Sequence, residues 1–203
     1  MKKTRLITTI LFSGMLLLSG CGSESSDAPA APPAAETPPP AETPAPPADE
    51  PSATIVHETS VVTTSGERIP VKVTTEGFIF VGYEGKPVLF EFYGDTCPHC
   101  LNAIPMYNSL NAKYGSSVLI LTIESYGQLN NAALQNFVSS KGIQYRTVAM
   151  ENSGNVKTYA EELVGPMGGV PYLIVLDKSG GIVTKVLGDV EESWLEGVIL
   201  DLL

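Results

Sequence analysis

An apolar run that ends beside two closely spaced cysteines limits the folds open to this chain. Residues 88–93 read Val-Leu-Phe-Glu-Phe-Tyr, which is typical of a strand buried on both faces of a sheet. Just beyond it the chain reads Cys97-Pro98-His99-Cys100, and proline is favoured at the first position of a helix. The pattern predicts a central strand that turns into a helix beginning at Cys97.

The position of the two cysteines also predicts their chemistry. The start of a helix offers unpaired backbone N–H groups and a partial positive charge, which stabilise a thiolate. Cys97 is therefore predicted to be an exposed attacking thiol, and Cys100, one turn further along, can close a disulfide with it. His99 can add a hydrogen bond or positive charge near the Cys97 sulfur. A zinc site or a short structural disulfide is the alternative, but zinc takes four ligands and the only other histidine is His57.

The segments around this motif predict an α/β domain with one mixed sheet. Alternating apolar and β-branched residues at 60–64 and 69–75 flank Ser65 and Gly66, which predicts an N-terminal β-hairpin. The remaining apolar patterns predict further elements. These are strands at 117–123, 144–150, 171–176 and 181–187, a strand or turn at 77–83, and helices at 97–114, 129–141, 155–163 and 191–203.

The motif Cys97-Pro98-His99-Cys100 resembles the active site of the thioredoxin superfamily, with the dipeptide typical of DsbA-type proteins. Glu91 falls where that superfamily carries a buried acid, and Pro105 falls where its active-site helix is kinked. Val170-Pro171, before a predicted strand, resembles its cis-proline loop. The resemblance implies a thioredoxin-like α/β fold, in which a central mixed β-sheet is flanked by helices and carries an N-terminal β-hairpin extension.

The resemblance also implies a role for each site residue. Cys97 would attack the disulfide of a protein substrate, and Cys100 would resolve the mixed disulfide. Glu91 would be buried beneath the sulfurs, with its pKa raised by desolvation, and would take the proton from Cys100. The Val170 backbone, beside Pro171, would pair with an extended substrate peptide. No metal is implied, and the only redox group is the disulfide of the two cysteines.

Within the superfamily, the long chain and the insertion at 142–163 look most like the TlpA/ResA-like branch of anchored extracytoplasmic thiol-disulfide oxidoreductases. That branch implies reduction of protein disulfides, with cytochrome c maturation as the candidate process and a membrane electron donor of the thiol-redox type as partner. Pro98 and His99 depart from the branch and favour a DsbA-like oxidase or isomerase instead. A metallochaperone that binds copper(I) through Cys97 and Cys100 is a third hypothesis.

Residues 1–20 predict an export signal. A basic start is followed by an apolar stretch at 6–18, which is shorter than the roughly twenty residues that span a bilayer. The sequence Leu-Ser-Gly before Cys21 resembles the lipobox of bacterial lipoproteins. It implies a lipid on Cys21 and a place in the bacterial cell envelope, facing the periplasm or extracytoplasmic space, with the outer and inner membranes both open. An ordinary cleaved signal with a free cysteine is the alternative.

The segment that follows, residues 21–53, predicts a disordered tether ahead of a domain at 54–203. Ten of the 16 prolines lie between residues 29 and 51, among alanines and acids. Such a composition buries too little apolar surface to offset the entropy of ordering. The formal net charge of -10 excludes a nucleic-acid-binding protein that works through a basic surface.

Overall fold

The computed structural model describes residues 53–203, which begin with four consecutive strands, then alternate between helices and strands, and end with two strands and a helix. The strands are β1 Ile55–Val62, β2 Arg68–Thr74, β3 Phe78–Phe80, β4 Val88–Tyr93, β5 Leu119–Glu124, β6 Arg146–Ala149, β7 Tyr172–Leu176 and β8 Ile182–Leu187. The helices are α1 Pro98–Tyr114, α2 Asn131–Lys141, α3 Val156–Val164 and α4 Glu192–Leu202, with a short 3-10 helix at Met150–Asn152. The predicted signal segment 1–20, Cys21 and the predicted tether up to residue 52 lie outside the described residues.

A mixed five-stranded sheet in the order β6-β5-β4-β7-β8 forms the centre of the domain. Strand β4 lies in the middle, parallel to β5 and antiparallel to β7, and all six of its residues are buried. This confirms the predicted central strand, because an apolar run with no polar face requires neighbours on both sides. The parallel pairing brings the carboxyl ends of β4 and β5 to the same edge of the sheet.

Side chains of β4 alternate between two apolar cores. Phe90 and Phe92 face the N-terminal strands and α3, whereas Leu89 faces α1 and α4. Since alternate residues of a strand point to the same face, Glu91 shares the face of Leu89 and is directed towards α1. The strand therefore carries one acid into the interface between the sheet and the helix that begins with the two cysteines.

The N-terminal extension is a three-stranded antiparallel sheet, β1-β2-β3, and so is larger than the predicted hairpin. The third strand is only three residues long, but Phe78 and Phe80 pack edge-on against Phe90 of the central sheet, with ring centroids 5.7 and 5.5 Å away. Bridges from Thr63 to Val148 and from Gly77 to Gly181 join the two sheets. The extension therefore covers one face of the central sheet.

The helices begin and end close to the predicted positions. Helix α2 has Asn130 as its N-cap, which accepts from the Ala133 N–H, and Gly142 at its C-cap with φ 64°. Helix α1 contains Pro105, which interrupts its backbone hydrogen bonds. Within residues 53–203, the helices are all too short or too polar to cross a membrane.

Candidate active site

The two cysteines lie at the start of α1, where β4 has delivered the chain to the edge of the sheet. Cys97 is the N-cap of the helix, and its sulfur accepts a hydrogen bond from the Cys100 backbone N–H at 3.4 Å. Pro98 occupies the first turn, where its missing N–H leaves no helical bond unmade. Both cysteines are free thiols. This geometry supplies the Cys97 sulfur with the partial positive charge of the helix terminus.

Cys97 is not exposed as predicted, because only 8% of its surface is accessible. The thiol donates to the Val170 carbonyl at 3.7 Å, and both cysteines belong to a buried cluster with Leu134 of α2. The covering groups come from distant parts of the sequence, so the local motif could not indicate them. The Cys97 side chain is therefore packed against the loop that carries Val170 and against α2.

Cys100 lies deeper in the same cluster, with 5% of its surface accessible. Burial raises the pKa of its thiol well above the usual value, and the hydrogen bond with the Cys97 sulfur adds to the rise. The two thiols thus differ in their surroundings, with Cys97 at the helix terminus and Cys100 inside the first turn. Cys100 needs a base before it can act as a nucleophile.

Glu91 of β4 is the buried acid that the sequence indicated. It is 4% exposed, and burial raises its pKa to about 8, while a hydrogen bond from the Tyr107 hydroxyl opposes the rise. Tyr107 lies in α1 two turns after Cys100, on the face that packs against the sheet. A carboxyl with this pKa can take up and release a proton near neutral pH.

A cavity of about 280 Å³ extends from Glu91 to the protein surface between α1 and the chain around residues 188–192. Its walls combine acidic groups with apolar ones. The lining residues that bear on the site are Glu91, His99, Tyr107, Pro171, Asp189 and Glu191. The cavity offers water a route to an otherwise buried carboxyl.

The Val170–Pro171 peptide bond is cis, as the resemblance implied, and it lies directly before β7. The Pro171 carbonyl accepts the Gly188 N–H at 2.9 Å, which ties this loop to the end of β8. The contact from the Cys97 thiol to the Val170 carbonyl shows that this loop lies beside the first cysteine. An extended peptide bound along Val170 would pass next to that sulfur.

His99 is not hydrogen-bonded to the Cys97 sulfur, so the structure does not contain the first of its two expected contributions, a hydrogen bond or a positive charge. Its Nδ1 lies 2.6 Å from Oδ2 of Asp189, and both side chains are largely exposed, at 65% and 61%. Sequence reasoning missed Asp189 because it lies 90 positions away in a connecting loop and carries no local signal.

A second buried carboxyl, Glu124, was also missed. It ends β5 directly opposite Tyr93, is 0% exposed, and accepts the backbone N–H groups of Tyr126 and Gly127, each at 3.0 Å. Burial raises its pKa, and the charge of Asp95 contributes to the rise. The signal available in the sequence was an acid that ends an apolar strand, as Glu124 does after 119–123.

Among residues 53–203, no three His, Cys, Asp or Glu side chains come together in a group that could hold a metal ion.

Comparison with known proteins agrees with this architecture. No family model matches the chain. The thiol-disulfide oxidoreductase ResA of Bacillus thuringiensis (strain Al Hakam) is 28% identical over 119 residues, which cover 57% of this chain and 63% of ResA. The match thus spans less than two thirds of that relative. A thiol:disulfide interchange protein of Chlorobium tepidum TLS has a TM-score of 0.56 at 18% identity and covers 75% of this chain and 98% of its own. A thiol-disulfide isomerase of Corynebacterium glutamicum has a TM-score of 0.55 at 20% identity. The match covers 75% of this chain and 97% of the isomerase chain.

The fold of the described residues is thioredoxin-like, with the cysteine pair at the start of α1. The two solved structures establish the fold only, because at 18% and 20% sequence identity they do not indicate a shared activity. Over the 119 matched residues, the sequence is similar to that of ResA.

Proposed function

We propose that this chain is a protein thiol-disulfide oxidoreductase that works by exchange at Cys97 and Cys100. The observation that carries the proposal is the Cys97 sulfur capping α1 beside Cys100, with the buried Glu91 carboxyl facing the same helix. The relative named thiol-disulfide oxidoreductase ResA supports the same class of activity.

In the proposed reaction, the Cys97 thiolate attacks one sulfur of a substrate disulfide. A Cys97–substrate disulfide forms, the substrate S–S bond breaks, and the leaving thiolate takes up a proton. Cys100 then gives its proton to Glu91 and attacks the Cys97 sulfur, which closes the Cys97–Cys100 disulfide, breaks the Cys97–substrate bond and releases the second substrate sulfur as a thiolate that takes up a proton from solvent. Two electrons pass from the dithiol to the substrate, and the dithiol is the only electron carrier.

Glu91 is the proposed general base of the second step. Burial holds the Cys100 thiol in its protonated form, and the same burial raises the Glu91 pKa to about 8. A catalytic acid or base is most effective when its own pKa lies near the working pH. The cavity beside Glu91 lets the proton continue to solvent through water.

The proposed direction is reduction of protein disulfides, in a process such as cytochrome c maturation, with electrons from a membrane partner of the thiol-redox type. Similarity to ResA and the lipoprotein-like start of the sequence support this direction. We further propose that a lipid on Cys21 anchors the chain to the bacterial envelope.

The test is a redox titration of the purified full-length protein in glutathione buffers, with the Cys97–Cys100 pair followed by mass spectrometry. We expect a reduction potential nearer to that of thioredoxin, about -270 mV, than to that of DsbA, about -120 mV. We also expect the reduced protein to cleave the disulfides of insulin. A potential near the DsbA value would assign the chain to the oxidases, and the absence of a reversible couple would overturn the proposed activity.

A further inference from the structure

The contact between His99 and Asp189 has no part in the exchange reaction described above. His99 lies in the first turn of α1, and Asp189 lies in the connection from β8 to α4. The residue before Asp189, Gly188, has φ 96° and donates its N–H to the Pro171 carbonyl at 2.9 Å. The loop that presents Asp189 is therefore fixed to the cis-proline loop beside Cys97.

The direction of the hydrogen bond follows from the chemistry of the two side chains. An ionised carboxylate only accepts, so Nδ1 of His99 carries a proton and donates to Asp189 Oδ2 across 2.6 Å. The imidazole is thereby turned towards the carboxylate. Within the described residues, the hydrogen bonds of the Cys97 sulfur join it to the Cys100 N–H and the Val170 carbonyl, and none joins it to His99.

The charge of this imidazole matters for the energy of the neighbouring thiolate. A positive charge near Cys97 stabilises the reduced form of the cysteine pair and makes the disulfide a stronger oxidant. A carboxylate in contact with the imidazole neutralises that charge at short range. The same histidine therefore has opposite consequences for the potential, depending on whether it is paired with the sulfur or with an acid.

We propose that Asp189 is a positioning residue that pairs with His99, withholds its charge from the Cys97 thiolate and so shifts the cysteine pair towards donating electrons. This inference rests on the proposed oxidoreductase function and supplies a physical reason for its direction. It also accounts for a DsbA-type dipeptide in a ResA-like chain.

Other acids near His99 provide a matched control. Glu191 and Glu192 line the same cavity as the pair. Glu192 accepts from Ser109 at 2.8 Å and lies 3.6 Å from Lys113, whereas Glu191 is an exposed residue preceding α4. Replacing Glu191 with glutamine removes one negative charge from the same wall of the cavity and leaves the contact between His99 and Asp189 intact.

The experiment measures the equilibrium of the full-length protein with reduced and oxidised glutathione for Asp189→Asn and Glu191→Gln. We expect Asp189→Asn to raise the equilibrium constant for reduction of the Cys97–Cys100 disulfide about threefold, which is about 14 mV for a two-electron couple. The effect is modest because solvent screens an exposed pair. Glu191→Gln is expected to have a clearly smaller effect.

A second background separates pairing from simple charge removal. When His99→Asn is already present, adding Asp189→Asn is expected to leave the equilibrium constant unchanged. The protein then has no imidazole at position 99 whose charge Asp189 could neutralise. An equal rise with and without His99, an equal rise for Glu191→Gln, or no rise at all would overturn the inference while leaving the redox activity in place. Absence of a reversible couple in the unmodified protein would overturn both this inference and the proposed function.

Discussion

The sulfur of Cys97 lies 3.4 Å from the backbone nitrogen of Cys100 and accepts its N–H. The same sulfur lies 3.7 Å from the Val170 carbonyl oxygen. One contact couples Cys97 to the helix terminus that stabilises a thiolate, and the other places it next to the loop proposed to bind substrate. Cys97 is therefore expected to attack first, and Cys100 second.

The first prediction concerns this order of attack. Cys100→Ala is expected to accumulate mixed disulfides with substrate proteins, because Cys97 can still attack but nothing can close the intramolecular disulfide. The measurement is non-reducing electrophoresis of the variant after expression in a bacterial envelope, followed by mass spectrometry of the bands that disappear on reduction. Cys97→Ala is the control and is expected to trap far less. Equal trapping by the two variants would contradict the assigned order.

The second prediction concerns Glu91 as a base. Glu91→Gln is expected to slow resolution of a preformed Cys97 mixed disulfide about a hundredfold, since an amide cannot accept the Cys100 proton. The rate is measured by stopped-flow release of a chromophoric thiol from Cys97 at neutral pH. The rate at which Cys97 is alkylated in the reduced variant serves as the internal control and should change little. If both rates fall together, the substitution has disturbed the site as a whole, and the role of a base for Cys100 is not supported.

The third prediction uses the raised pKa of Glu91 to give a pH dependence of stability. The folded protein holds this carboxyl with a pKa of about 8, against an ordinary value of 4.5 in the unfolded chain. Between these values the unfolded chain has lost a proton that the folded chain retains, so this group makes folding less favourable as the pH rises. Above about pH 8 and below about pH 4.5, its contribution no longer changes.

Glu91→Gln removes that titration, so the variant should gain stability relative to the unmodified protein as the pH rises across the same window. One pKa unit corresponds to about 1.4 kcal/mol, and the gain should therefore reach a few kcal/mol at the alkaline end. Urea unfolding at a series of pH values measures it. Other titrating groups are common to both proteins and cancel in the difference. A difference that stays constant with pH would show that Glu91 has an ordinary pKa.

Much of the fold follows from the sequence because its signals are local. The run at 88–93 has no polar face and so had to lie between two neighbours, and Gly142 marks the end of the helix predicted at 129–141 by its own capping chemistry. Glu91 could be identified because the resemblance to the thioredoxin superfamily implies a buried acid at this position, and the residues around it form an apolar run.

The features that were missed depend on chain segments brought together only by folding. Asp189 meets His99 across 90 positions, and Cys97 is covered by the distant Val170 and Leu134. Phe78–Phe80 is too short to identify as a strand by its pattern, and it forms one because β2 and Phe90 offer it a partner and a core. The motif therefore predicts the chemistry of the site, whereas its burial and electrostatic tuning require the tertiary structure.

The last prediction tests how the N-terminal sheet is fastened to the central one. Gly77 pairs with Gly181 across the two sheets, and a Cβ added at Gly77 would overlap the Gly180 carbonyl oxygen. Because this oxygen belongs to the backbone, the clash can be relieved only by moving the turn between β7 and β8, which contains Gly180. Gly77→Ala is therefore expected to destabilise the protein by about 1–3 kcal/mol, the usual range for overpacking.

Gly197 provides the matched control for the same substitution. It lies in α4, where a Cβ would meet nothing within 4 Å. Gly197→Ala is therefore expected to stabilise the protein by about 0.5–1 kcal/mol through helix propensity. Urea unfolding of both variants measures the two effects, which should have opposite signs. A Gly77→Ala variant as stable as the unmodified protein would show that the sheets do not approach each other closely at this bridge.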